Sequence, residues 1–294
     1  MTAPVPAGER TTPPGARAAG RWSALLRSRS GAAGLALSSL VVVATLVSFA
    51  WTPYDPSRVS PRESWAPMSW EHWFGADRLG RDLLSLVLAG ARATLLVSAA
   101  ATVVAAVTGT LLGAAAAITP RWVRAPAGHA VDALIAFPTL LLAMVLVAVY
   151  GAGTETAVLA IGLGEGFFVA RVMRAEMARV LAADYVLAAR AGGASTWRIF
   201  HEHVLPGVLP TLTVLLSLVM AVAVLAEAAL SYLGYGVPSG TPTWGRMLHD
   251  LQAQITVRPL VLVWPGVAIV ATVLGFNLLG DGLREAGDPR VRRS

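Results

Sequence analysis

Apolar residues gather in six long runs along the chain, at about 31–51, 93–118, 131–150, 156–172, 209–232 and 260–279. Most of these runs approach the ~20 residues that an α-helix needs to cross the hydrocarbon of a bilayer. The fourth is short and rich in glycine. Runs this long and this apolar predict helices that span a membrane, since a helix apolar on every side must be buried and six such runs exceed what the core of a chain this size would hold. The expected architecture is all-α, with six transmembrane helices. Composition agrees: 55% of the 294 residues are hydrophobic and 14% are charged, against about a quarter charged in a soluble domain. The shortage of charge runs along the whole chain, so the protein is integral to the membrane and not a globular domain on an anchor.

The polar segments divide the chain further. Residues 1–30 are rich in Pro, Gly, Ala and Arg, without apolar periodicity, and read as a disordered tail. The first run follows Arg21, Arg27 and Arg29, as the core of a signal peptide would, but leads into Trp51, Thr52 and Pro53 with no small-x-small cleavage pattern. It is taken as an uncleaved first helix, 31–51. Residues 52–89 form a polar loop bearing Trp65, Trp70 and Trp73, as suits a membrane–water interface. Gly80–Asp82 at its end and Gly90–Arg92 just beyond it are expected to frame an amphipathic surface helix leading into the second span. A core of five helices follows over 90–282, with a polar interruption at 171–206, and 283–294 form a C-terminal tail.

Charge orients this arrangement. All 23 basic residues are arginine. With the N-terminus in the cytoplasm, sixteen of the 23 fall on cytoplasmic segments: the two tails, the 119–129 loop and the 171–206 interruption. That asymmetry follows the positive-inside rule, with both termini cytoplasmic. It also explains the net charge of +6 better than nucleic acid does, since the arginines are scattered between apolar runs beside anionic lipid headgroups. With no cysteine, there are no disulfides, thiol nucleophiles or thiolate metal sites. With no lysine, there is no P-loop and no Schiff-base chemistry.

The interruption carries the most information. Met173, Met177, Val180, Leu181 and Val186 recur at near-helical spacing with Arg174, Glu176, Arg179 and Asp184 between them. Gly192-Gly193 should end that helix at Ala191. Ser195 or its neighbour can cap a second short helix through Trp197, Ile199 and Phe200, ending before Pro206. The product is a helix–turn–helix with a corner of small residues, open to close approach by another backbone, or else a plain surface hairpin.

The stretch "DYVLAARAGGASTWRIFHEHVLP" resembles the EAA loop of ABC importer permeases, above all those of the oligopeptide/dipeptide family. The triplet falls on Leu187, Ala188 and Ala189, the following glycine on Gly193, and the closing pair on Leu205-Pro206; Leu187 replaces the leading glutamate. "FGADRLGRDLLSLVLAGARATL" resembles the signature at the start of the peptide-permease core, and "AEAALSYLGYGVPSGTPTWGRML" with "GFNLLGDGLREAGDPR" the closing region of its C-type subunit. The resemblance runs from about Arg21 to Arg290. It implies the type I importer architecture in the bacterial cytoplasmic membrane. The interruption becomes a coupling helix docked on a cytoplasmic ATPase, carried by Tyr185, Ala188, Ala189, Arg190, Gly193, Leu205 and Pro206. The implied partners are a second homologous permease, one or two ABC ATPase subunits that bind the ATP and Mg, and an extracytoplasmic binding protein. The implied cargo is a dipeptide or oligopeptide, with nickel chelates or glutathione as alternatives. The chain itself would hold no cofactor and catalyse nothing.

Polar groups inside the runs are functional candidates, because burying them in hydrocarbon costs a few kcal/mol. Glu227 lies inside the fifth run where the resembling family usually has glutamate; helix packing and pathway lining both fit. Glu165 stands where relatives more often carry an aromatic residue, and Asn277 joins these two as a candidate pathway residue. Asp132, Glu155 and Asp281 sit at helix ends, within reach of headgroup water. Pro138 and Pro265 should kink the third and sixth helices. His201 and His203 are two apart, on different helix faces, unlike an i, i+4 metal pair. A stand-alone secondary transporter would show inverted repeats. An intramembrane enzyme would show a Ser/His, two-Asp or HExxH constellation; neither pattern is present.

Overall fold

The computed structural model describes residues 25–119, 133, 135, 138–238 and 240–287. Most of the N-terminal tail, the 120–132 loop with Arg121, Arg124 and Asp132, and the last seven residues lie outside them. The elements are α1 (Arg29–Ala50), α2 (Leu83–Ile118), α3 (Thr139–Tyr150), α4 (Thr154–Leu181), α5 (Asp184–Ala191), α6 (Thr196–Ile199), α7 (Leu205–Tyr232), α8 (Trp244–Leu251) and α9 (Leu260–Gly287). Among the described residues no strand is present. Five helices are long and apolar enough to cross a membrane: α1, α2, α4, the continuous Thr196–Tyr232 and α9. The third expected span is represented by the 12 residues of α3, its first part lying largely outside the described residues.

The bundle has two distinct ends. α2 and α4 run parallel, Gly162 facing Val104 and Gly113 facing Met173. Their chain ends meet at the 171–206 elbow. α7 returns from the elbow, and α8 then packs beside the start of α2, where Trp244 Nε1 donates to the Val87 carbonyl at 2.9 Å. α9 runs back, so that Ser30 near the start of α1 donates to Glu285 near its end at 3.1 Å. Both described ends of the chain therefore lie at the elbow end, and the 52–82 and 233–259 segments cap the other, the loop end.

Small residues set the packing. Ala101, Ala105, Gly109, Gly113 and Ala117 form a buried stripe at a spacing of four along α2. Against it lie Gly162, Gly166, Val169 and Met173 of α4. A Cβ added at Gly162 would come within 2.6 Å of Val104, and one at Gly113 within 2.8 Å of Met173. In a membrane, where hydrophobic burial does not drive helices together, such close contact supplies the attraction. α1 repeats the device on α9: its buried positions are Gly31, Gly34, Ser38, Val41, Thr45 and Ser48, a seam with a single large side chain.

Three expectations need correction. First, no separate amphipathic helix precedes the second span. Asp82 accepts from the Ser85 N–H at 2.8 Å and so caps one helix of 36 residues, about 54 Å long. Gly90 lies inside it, against Trp244. Second, Pro138 does not lie inside α3 but stands at its N-cap, with ψ 129°; its missing N–H and rigid φ suit a helix start. Pro265 does lie inside α9. Third, the second elbow helix does not stop before Pro206. Phe200–Val204 form a π-turn that leads straight into α7. A π-turn shifts the hydrogen-bonding register by one residue, which accommodates the N–H that Pro206 lacks.

Candidate functional site

The elbow is built from an anchored face and an open one. α4 ends at Leu181, two residues turn the chain, and α5 begins at Asp184; the expected single helix from Met173 to Ala191 is thus two. Val186 of α5 and Ile199 of α6 are buried with Met177, Val180, Val204 and Val208 in one apolar cluster that extends into α2. Burying such a side chain is worth about 1.5–3 kcal/mol, enough to fix the elbow against the bundle.

The corner between α5 and α6 is set by hydrogen bonds. The Ala194 N–H donates to Ala189 O at 3.1 Å and the Gly193 N–H to Arg190 O at 3.0 Å. With φ +83° at Gly193, this is the Schellman arrangement, which places a left-handed residue after the helix. Ser195 then caps α6, accepting from the Arg198 N–H at 3.3 Å. A Cβ on Gly193 would meet nothing within 4 Å, so backbone conformation and not crowding within the chain calls for glycine.

The opposite face is uncovered. Trp197 is 73% exposed, Tyr185 54% and Leu187 49%. Ala188, Arg190, Gly193 and Pro206 are exposed, while Ala189 and Leu205 are half-buried. The Tyr185 ring meets His203 edge-on at 5.8 Å and Trp197 meets His201 at 4.1 Å, so the histidines hold the aromatic side chains in place. Leu187 adds apolar surface to this patch.

The three candidate pathway residues sit on three helices, and no hydrogen bond joins them. Glu227 of α7 is 0% exposed. Its Oε1 accepts from Ser231 Oγ at 2.6 Å, while Oε2 is buried without a hydrogen-bond partner. Beside it Thr94 of α2 accepts from the Trp244 N–H at 3.4 Å, so Glu227 sits where α2, α7 and α8 meet. Glu165 of α4 and Asn277 of α9 are half-buried, each without a hydrogen bond or ion pair among the described residues.

A second organised region closes the loop end. Asp77 accepts from the N–H groups of Leu79 and Arg81 at 2.8 and 2.9 Å and pairs with the Arg81 side chain at 2.7 Å. Gly80 turns the chain with φ +72°. Buried Asp82 contacts His72 Nδ1 at 3.0 Å as well as capping α2. Arg258 donates to the Trp65 carbonyl and lies over that ring, and Phe74 stacks on Trp264 at 3.9 Å. The spaced Gly, Asp and Gly-Arg-Asp of this stretch carried the signal: an aspartate that folds back on its own turn, then one that caps a helix. Trp70 is 95% exposed at this end.

An apolar helical bundle with a capped loop end and an anchored elbow open on one apolar face has the architecture of a multi-pass membrane protein. The model of the family described as "Binding-protein-dependent transport system inner membrane component" matches residues 109–293, and the chain belongs to that family. It is therefore a multi-pass permease component of the bacterial inner membrane. It is similar to a peptide permease protein of Brucella ovis, 35% identical over 283 residues that cover 96% of this chain and 93% of the relative. A glutathione transport system permease protein of Pectobacterium atrosepticum is 35% identical over 274 residues, covering 92% and 90%. A dipeptide transport system permease protein of Alkalihalophilus pseudofirmus is 34% identical over 263 residues, covering 88% and 86%. Among solved structures, the inward-facing MetNI methionine ABC transporter matches with a TM-score of 0.59 and 19% identity, over 69% of this chain and 97% of that one. That likeness concerns the fold.

Proposed function

We propose that this chain is one of two homologous permease subunits in an ATP-driven importer of peptides, that its elbow docks on a cytoplasmic ATPase, and that its loop end receives an extracytoplasmic binding protein. The observation that carries the reading is the elbow: a rigid corner anchored by Val186 and Ile199, with Tyr185, Leu187 and Trp197 uncovered. Aromatic side chains set among small residues fit the cleft of a protein partner. The arginine distribution supports placing the elbow and both termini in the cytoplasm. ATP and Mg are bound by the partner, since the chain has no lysine for a P-loop, and the subunit moves without catalysing. Peptide cargo is supported by the Brucella and Alkalihalophilus relatives.

Glutathione, itself a short peptide, is the second reading, because the Pectobacterium relative is equally similar. Uptake of labelled dipeptide by cells that express the complete system, with competing glutathione, separates the two. Peptide cargo predicts uptake that depends on this chain and resists glutathione. Uptake of glutathione alone would favour the second reading, and uptake without any ATPase subunit would overturn the importer itself.

A further inference from the structure

At the loop end, the 77–81 turn and α8 face each other across a cleft of about 140 Å³. Its polar lining is Asp77, Arg81, Thr241, Arg246 and Asp250. The two arginines differ. Arg81 is closed off, with Nε and Nη2 both 2.7 Å from Asp77 Oδ2. Arg246 is half-buried, and among the described residues its side chain has no hydrogen bond or ion pair; only its backbone N–H is engaged, by Thr243 Oγ1 at 3.2 Å. Asp250, one helical turn along α8, is exposed and equally unpaired. A guanidinium that has lost part of its hydration without gaining a carboxylate is a costly arrangement for the free protein. A planar fork of donors in a cleft matches a carboxylate or a phosphate, and the carboxylates of Asp77 and Asp250 in the same lining favour the singly charged carboxylate.

We propose that this cleft is a docking socket for an acidic side chain of the extracytoplasmic binding protein, with Arg246 receiving the carboxylate and Asp250 facing a basic neighbour at the rim. The inference rests on the orientation and partners proposed above. Size selects a side chain over free cargo: the cleft is smaller than the roughly 300–1,000 Å³ of sites that enclose small molecules. Charge complementarity selects the partner's surface, an acidic residue with a basic one beside it. Thr241, exposed at the mouth, adds a hydroxyl that can donate to the same carboxylate.

The test uses the complete transporter reconstituted in nanodiscs with its purified binding protein. ATPase activity is measured against binding-protein concentration for wild type, Arg246→Gln, Arg246→Lys and Arg246→Glu. The expected result for Gln is a half-stimulating concentration raised by about tenfold with basal ATPase unchanged, and a larger rise for Glu. Lysine should restore part of the loss, and added salt should weaken wild type more than Gln. Restoration of Arg246→Glu by an acidic-to-arginine change on the binding protein would identify the partner side chain. An unchanged half-stimulating concentration in Arg246→Gln, at normal complex yield and melting temperature, overturns the socket. So does a cleft that binds free dipeptide in the absence of binding protein and loses it in Arg246→Gln. A wild-type complex that no binding protein stimulates would instead refute the importer reading beneath it.

Discussion

At the scale of single residues, Gly193 and Glu227 make opposite demands. Gly193 needs a left-handed backbone, φ +83°, in space that is otherwise open. A β-branched residue there costs roughly 1–2 kcal/mol of backbone strain, whereas asparagine tolerates the conformation. Gly193→Val should therefore leave the helices inserted but reduce both binding-protein-stimulated ATPase activity and transport, while Gly193→Asn retains most of both. Equal loss in the two variants, measured in reconstituted complex, would assign the effect to added volume at a partner surface. Arg179→Gln removes only an exposed pair with Glu176, worth under about 1 kcal/mol, and should change neither activity. For Glu227, burial at the meeting of α2, α7 and α8 makes the Ser231 hydrogen bond the leading contribution. Glu227→Leu strands that hydroxyl and should lower stability by about 1–3 kcal/mol, seen as reduced abundance and melting temperature. Glu227→Gln preserves an acceptor and should leave abundance near normal. If Glu227→Gln instead lowers transport per folded molecule, the carboxylate belongs to the pathway.

At the scale of elements, α2 and α4 depend on the small-residue stripe. Gly113→Leu places a side chain where even a Cβ would come within 2.8 Å of Met173. Overpacking of this kind costs about 1–3 kcal/mol or more, and the expected outcome is loss of folded protein in detergent, read by size-exclusion chromatography. A matching change at Val107, which is exposed on the same helix, should be harmless. The apolar runs that become these helices are legible in the sequence, because a run of about twenty apolar residues has few other fates. So are the break at Gly192-Gly193 and the cap at Ser195, which are local chemistry. The extent of α2 is obscured by Arg92, which reads as the edge of a surface helix. In the structure it reaches the Ser48 hydroxyl and carbonyl and lies over the Phe49 ring, contacts that only the packing against α1 supplies. The passage of a helix through Pro206 is hidden for a related reason: proline signals a boundary, and the π-turn that removes the conflict leaves no mark in composition. Of the site residues, the corner is legible from its glycines. The meeting of Arg246 with the 77–81 turn joins segments more than 150 residues apart, which spacing alone cannot reveal.

At the scale of the whole molecule, the two ends of the bundle have different work in the proposed importer, so their sidedness is decisive. A reporter fused after Pro238 should lie outside the cytoplasm, while reporters at Gly193 and at the C-terminus should lie within it. Since Ser30 and Glu285 meet at the elbow end, the two cytoplasmic fusions must agree with each other; a periplasmic signal from Gly193 would remove the docking proposal entirely. The π-turn has a mechanical consequence as well. Because it lets the helix pass Pro206 unbroken, Thr196–Tyr232 is one rod of 37 residues, about 55 Å from elbow to loop end. Pro210 lies inside it near the foot and removes one helix hydrogen bond, and beyond it no proline interrupts the rod before Tyr232. With its foot in the elbow and its tip next to α8, a tilt of a few degrees imposed at the foot becomes several ångströms of travel at the tip. The same stiffness makes the lever reversible, so that a load applied at the tip is felt at the foot.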